Sequence, residues 1–170
     1  ERGNVGNADL NGLESLIDFN LSELLNFDTT IYSLKSSFNY SFIKSKYTES
    51  TTPGIVGKNV EFVPENNFKT GLQFGYKNLA ANVQYSFVSD QFTDSSNAIE
   101  GNLSGVIGLI PSYSLLDFSG SYSLNNIKIE FGINNLLNEA YFTRRATGYP
   151  GPGIIPSPKR NIYISTQIKF

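Results

Sequence analysis

The sequence contains no cysteine, histidine, methionine or tryptophan. Without cysteine there are no disulfides and no thiolate chemistry. Without histidine there is no Ser–His triad, no ordinary zinc site and no neutral-pH proton shuttle. No enzyme activity, metal site or cofactor is therefore expected. Charge is scarce, with 16% charged residues and a net charge of −2, which gives no electrostatic case for nucleic acid. No apolar run approaches the ~20 residues of a spanning helix, and no signal peptide is visible. The chain opens on Glu1, which reads as a processed or excerpted piece. Aromatic residues reach 14%, too rich for a disordered chain.

What the sequence does have is alternation. The segment from Asn161 to Phe170 places Ile162, Ile164, Thr166, Ile168 and Phe170 in one phase, and Tyr163, Ser165, Gln167 and Lys169 in the other. Strand side chains repeat with period two, so such a segment has one apolar and one polar face. Six earlier segments behave alike. Their apolar phases are Leu13, Ser15, Ile17, Phe19 and Leu21; Leu34, Ser36, Phe38, Tyr40 and Phe42; Phe68, Thr70, Leu72, Phe74 and Tyr76; Leu79, Ala81, Val83, Tyr85 and Phe87; Leu116, Phe118, Gly120, Tyr122 and Leu124; and Ile127, Ile129, Phe131 and Ile133. None of these positions is charged. The opposite phase carries Glu14, Asp18, Lys35, Lys69, Asp117, Lys128, Glu130 and Lys169.

The links between segments alternate too. Short ones lie near Asn26-Phe27-Asp28, at Lys77-Asn78 and at Asn125-Asn126. Long ones, rich in Gly, Pro, Ser, Asn and Thr, cover roughly 45–67, 90–112 and 135–160. In an up-and-down meander this gathers the turns at one end and the long loops at the other, as transmembrane β-barrels do. A mean hydropathy of −0.20 does not argue against that, because alternation cancels in any hydropathy window. A soluble antiparallel sandwich also alternates, with its apolar face inward. Three features favour the barrel: link length follows parity, Tyr and Phe recur near the ends of the apolar phase, and the last strand finishes on Phe170. Open edges are not tolerated in lipid, so further strands are expected upstream.

Four motifs then resemble one family in the correct order. Asn4-Val-Gly-Asn-Ala-Asp-Leu-Asn-Gly-Leu-Glu14 is similar to the family's "N-x-G-x-A-x-x-x-G-L-E" strand opening. Gly108-Leu-Ile-Pro-Ser-Tyr-Ser-Leu-Leu-Asp117 is similar to its late loop-to-strand entry. Phe131-Gly-Ile-Asn-Asn-Leu-Leu-Asn-Glu-Ala-Tyr141 resembles its "G-x-x-N-L-x-(D/N)-x-x-Y" signature, and the terminal strand through Lys169-Phe170 completes the set. The chain resembles the C-terminal barrel portion of a TonB-dependent outer-membrane receptor. The stretch from Tyr141 to Ser157 resembles the ferric dicitrate receptor branch.

The resemblance implies an all-β antiparallel transmembrane barrel of 22 strands, of which residues 1–170 would supply the last seven. It implies uptake of an iron chelate, a siderophore or ferric citrate, across the outer membrane of a Gram-negative cell. Its implied partners are that chelate, outer-membrane lipid, an N-terminal plug and the TonB complex (the latter two engaged outside this chain), and the barrel assembly machinery, for which Phe170 would be the signal. Arg144, Arg145 and Tyr149, in the last long loop, are the candidate ligand contacts, because arginine pairs bidentately with carboxylates and citrate-type chelates are polyanionic. The competing use of the arginines is a loop-stabilising ion pair or a solvated charge. Asn134 and Asn135 are expected to satisfy backbone groups where the sixth strand meets its loop. The polar-phase charges are expected to form cross-strand pairs and plug contacts. A secreted β-sandwich adhesin or carbohydrate-binding module, and a passive porin, are the competing functional classes.

Overall fold

The computed structural model describes residues 5–148 and 151–170. Seven strands form one antiparallel sheet: β1 (Asn7–Asn20), β2 (Tyr32–Glu49), β3 (Asn66–Tyr76), β4 (Leu79–Val88), β5 (Tyr113–Leu124), β6 (Ile127–Asn134) and β9 (Asn161–Ile168). Their spatial order is β1-β2-β3-β4-β5-β6-β9. Each strand pairs with its neighbour in the sheet, so the sheet is an up-and-down meander. A separate hairpin, β7 (Phe142–Ala146) with β8 (Gly153–Pro156), sits within the last long connection.

Register shows that the alternation is real. Leu13 faces Phe42, Ile17 faces Phe38, Phe38 faces Thr70 and Phe68 faces Phe87. Val83 faces Phe118, Tyr122 faces Ile129 and Phe131 faces Ile164. Apart from Leu21 and Phe170, which lie outside the strands, every residue of the apolar phase thus opposes another position of the same phase, and cross-strand pairs of this kind contribute roughly 0.2–1 kcal/mol each. The polar phase is equally consistent: Asp18 faces Ser37, Gln73 faces Asn82, Gln84 faces Asp117, and Glu130 faces Ser165.

Among the described residues no second layer packs on the apolar face. Leu13, Leu72, Ile164 and many of their neighbours remain exposed. A β-sandwich would hide them, so the sandwich alternative fails on geometry. The buried apolar side chains among the described residues are Tyr47, Ile55 and Ile110, and all three lie at the long-loop end. The sheet is therefore a wall, with its hydrophobic side left for the surroundings to cover.

The expected element boundaries shift in three places. Leu21 does not continue β1; it opens a single helical turn, α1 (Leu21–Leu24). That turn is pinned by Ser22, whose hydroxyl accepts from the Leu34 amide and donates to the Leu34 carbonyl. β2 runs on to Glu49 because β1 extends back to Asn7 and keeps pairing with it, so the first long loop is shorter than 45–67. The third long link is not irregular throughout, since β7 and β8 occupy part of it. The short links behave as expected: Asn26, Lys77 and Asn125 each adopt a positive φ near +50°. Such a tight reversal needs that region, which Asn tolerates well. Neighbouring turns are stitched together by Lys77 N–H to Ile31 O, Ser123 N–H to Asn78 O and Lys169 N–H to Asn126 O.

Candidate functional site

The long-loop end carries the candidate residues. Arg144 and Arg145 lie on β7, next to a register irregularity between Phe142 and Arg145. Arg144 is exposed, while Arg145 is half-buried. The Arg145 guanidinium donates through Nη1 to Gly105 O and through Nη2 to Leu109 O, both at 2.9 Å. It also lies 5.3 Å from the centre of the Phe142 ring. Its Nε is buried without a partner.

Backbone geometry makes this docking possible. Gly105 has φ +69°, and a Cβ there would stand 3.1 Å from Gly153 Cα. The second long loop and the β7–β8 hairpin therefore meet backbone to backbone, and Arg145 clamps them. Arg144 lines a hollow of about 350 Å³ together with Arg145, Ala146, Thr147, Gly148 and Ile155. Tyr149 lies outside the described residues.

The first and second long loops are joined as well. Asn97, at φ +55°, accepts from the Asn59 amide through Oδ1 at 2.7 Å and donates through Nδ2 to Asn59 O at 2.8 Å. Phe62 N–H donates to Phe92 O. Tyr47 donates its hydroxyl to Glu61 at 2.6 Å. The three long loops thus form one hydrogen-bonded cap. Sequence reasoning missed this clasp, because a lone Asn in a polar loop carries no mark of its partner.

The base of the cap is built on Asn135, only 3% exposed. Its amide N–H donates to the Asp117 carboxylate at 2.8 Å, its Oδ1 accepts from Glu139 N–H at 2.8 Å, and its Nδ2 donates to Glu139 O at 2.9 Å. Asn134 donates to Asn161 Oδ1 at 2.9 Å. Asn135 satisfies backbone groups where β6 leaves the sheet, as its position suggested, whereas Asn134 meets the Asn161 side chain instead. The Tyr113 and Tyr141 rings meet at 4.8 Å between centres, with their planes tilted by 31°.

Below the cap, the polar face of the wall is hollowed. One depression of about 470 Å³ is lined by Gln73, Asn82, Ser119, Ser121, Glu130 and Tyr163 among others. The expected cross-strand ion pairs do not form. The ion pair present among the described residues is Lys128 with Glu130, 2.5 Å apart on the same strand. Asp117, expected in a cross-strand pair or a plug contact, accepts instead from the Asn135 amide. No group of three or more Asp or Glu among the described residues stands ready to hold a metal ion. Phe170 extends fully exposed beyond β9, in phase with Ile168.

A one-layer antiparallel meander with an apolar band on its outer phase, a polar inner phase and all its long loops at one end is a sector of a membrane β-barrel. A family profile described as "TonB dependent receptor-like, beta-barrel" matches residues 2–136, and the chain belongs to that family. No curated protein sequence matches the chain. Among solved structures it is similar to the ferric citrate transporter FecA, with a TM-score of 0.82 at 23% identity over 96% of this chain and 24% of that one. It is also similar to the ferric yersiniabactin uptake receptor FyuA from Yersinia pestis, with a TM-score of 0.75 at 20% identity over 98% and 24% of the two chains. The siderophore receptor PiuA from Acinetobacter baumannii gives 0.70 at 19% identity over 96% and 22%. The chain thus spans about a quarter of the length of these receptors.

Proposed function

We propose that this chain is part of an outer-membrane receptor that imports an iron chelate, a siderophore or ferric citrate, with energy supplied through TonB. Residues 1–170 would form the last seven strands of a barrel of about 22. The single observation behind this reading is the uncharged apolar band on one face of a family-matched sheet, set against a polar opposite face. One face suits hydrocarbon, and the other suits a hydrated interior with a plug. The free edges of β1 and β9 support the larger barrel, since backbone groups at an open edge cannot be left unsatisfied in lipid. The long-loop end would face outward and the short turns the periplasm.

In this reading Arg144 contacts the anionic chelate, and Tyr149 is a second candidate contact. Arg145 serves the same contact from behind, by holding the hairpin against the second loop. Phe170 serves as the signal read by the barrel assembly machinery, and TonB and the plug engage through regions outside this chain. The test is binding and uptake by the full-length receptor. Cells carrying it should accumulate radioactive iron from ferric citrate or a siderophore only when TonB is present. The R144A variant should weaken chelate binding about tenfold by calorimetry, the loss of one charge-assisted contact. Uptake independent of TonB would favour a passive pore and end the proposal.

A further inference from the structure

The outer phase of β2 changes character abruptly. From Leu34 to Phe42 it holds only apolar side chains and Ser36, and then it places Lys44 and Lys46 in succession. These are the only cations in the outer phase of any described strand. Both are exposed. Lys44 bends back so that its ammonium lies 5.7 Å from the centre of the Phe42 ring, which puts it on the lipid side of the wall. Neither ammonium lies within 4.0 Å of a carboxylate among the described residues. Across the β1 ladder Lys44 faces Asn11 and Lys46 faces Asp9.

Height decides what these lysines meet. At the short-turn end Tyr32 stacks on Tyr76 at 5.0 Å, an aromatic anchor at one boundary. At the other end Tyr40 pairs with Phe68, and Phe42 with Leu13. Ten residues separate Tyr32 from Phe42. At about 3.4 Å per residue and a tilt of about 40° they cover roughly 26 Å along the membrane normal, matching an apolar band of about 25 Å. Lys44 and Lys46 then stand roughly 5 and 10 Å beyond the hydrocarbon, at the level of lipid headgroups.

We propose that Lys44 and Lys46, with Asn11 as a neutral donor beside them, bind the phosphate of an outer-leaflet glycolipid whose acyl chains lie along Phe42, Tyr40 and Phe68. Two cations directly above an aromatic belt fit such a molecule, which carries phosphate over hydrocarbon. A soluble anion would gain nothing from the belt. Asp9 sits opposite Lys46 and weakens the site. The proposal rests on the outer-membrane reading, but not on the identity of the imported chelate.

The experiment uses the full-length receptor in detergent, with bisphosphorylated lipid A titrated in and bound lipid counted by native mass spectrometry. The same lipid without its phosphates and inorganic phosphate alone serve as controls. Each lysine is expected to contribute about fivefold, so K44Q/K46Q should bind about twenty-five-fold more weakly. D9N should bind more tightly. The dephosphorylated lipid should bind the wild type no better than it binds K44Q/K46Q, and millimolar inorganic phosphate should not compete. Heat-dependent gel mobility checks that each variant is folded, and single K44Q serves if the double variant is not. Equal binding of the phosphorylated lipid by wild type and folded K44Q, or equal binding of the two lipids by the wild type, overturns the proposal. TonB-dependent iron uptake, measured separately, reports on the functional reading whatever the lipid result.

Discussion

Replacing Arg145 with alanine should loosen the cap without unfolding the barrel. The change removes two charge-assisted hydrogen bonds, to Gly105 O and Leu109 O, and the contact with the Phe142 ring. Hydrogen bonds to a charged group contribute about 1.5–3 kcal/mol each when sheltered, and an accessible cation–π contact about 0.5–1. The freed carbonyls can turn to water, and the side chain is only half-buried, so the net loss should fall near 2–3 kcal/mol. That corresponds to about a 30- to 150-fold rise in the local opening equilibrium between the second loop and the hairpin. Hydrogen exchange of the Gly108 and Leu109 amides, which donate to Thr93 Oγ1 and Ile99 O, reads this opening directly. Protection there should fall in R145A, while amides of the β3–β4 ladder should not change. R145K should lie between, because it keeps the charge but loses the fork. Unchanged exchange at Gly108 and Leu109 in a folded R145A receptor would refute the clamp. A collapse of protection throughout the sheet would refute the independence of cap and wall.

Other expectations follow from the same geometry. L72R, at mid-height on the outer face, should cost about 2–4 kcal/mol of barrel stability, whereas Q73R on the neighbouring inner position should cost little; folded fractions after refolding into lipid vesicles compare the two. G12A should weaken β1–β2 pairing by more than 1 kcal/mol, because a Cβ there would stand 2.5 Å from the Phe42 carbonyl oxygen, a backbone atom that cannot swing aside; the denaturant midpoint reports it. Asp28, in the first short link, accepts from the Thr30 hydroxyl and amide, and these bonds hold its carboxyl below the ordinary value. Its contribution to turn order is therefore present above the usual carboxylate range and is lost as pH falls through the depressed value. A carboxyl NMR titration should show T30V moving Asp28 back upward, and an unchanged titration would contradict the assignment.

The sheet was legible in the sequence because a membrane wall has no tertiary core to override local pattern. Each strand needs one face uncharged and the other wet, so Leu34 through Phe42 or Ile127 through Ile133 could be phased from period two alone. Link lengths then fixed the meander. The cap was not legible for the opposite reason. Its order comes from single contacts between distant residues, such as Asn97 with Asn59 or Arg145 with Gly105, and no period marks them. Leu21 misled because its phase fits β1, yet Ser22 can cap Leu34 from a helical turn. Asn135 was readable as a polar residue at a strand exit, though not which groups it would bind. Lys44 and Lys46 were visible as residues but not as members of the outer phase, since β2 runs on to Glu49, about five residues past the point where the loop composition suggested it would end.

Ile110 is wholly enclosed, yet it sits outside the sheet. In a wall whose oily side meets fluid hydrocarbon, trading one greasy side chain for another disturbs no fixed neighbour, and the solvent reshapes itself around the newcomer. A side chain locked among loops has no such tolerance. Variation among relatives of this chain should accordingly run free along the staves, within a coarse two-letter alphabet, and be held tight at a few points above them.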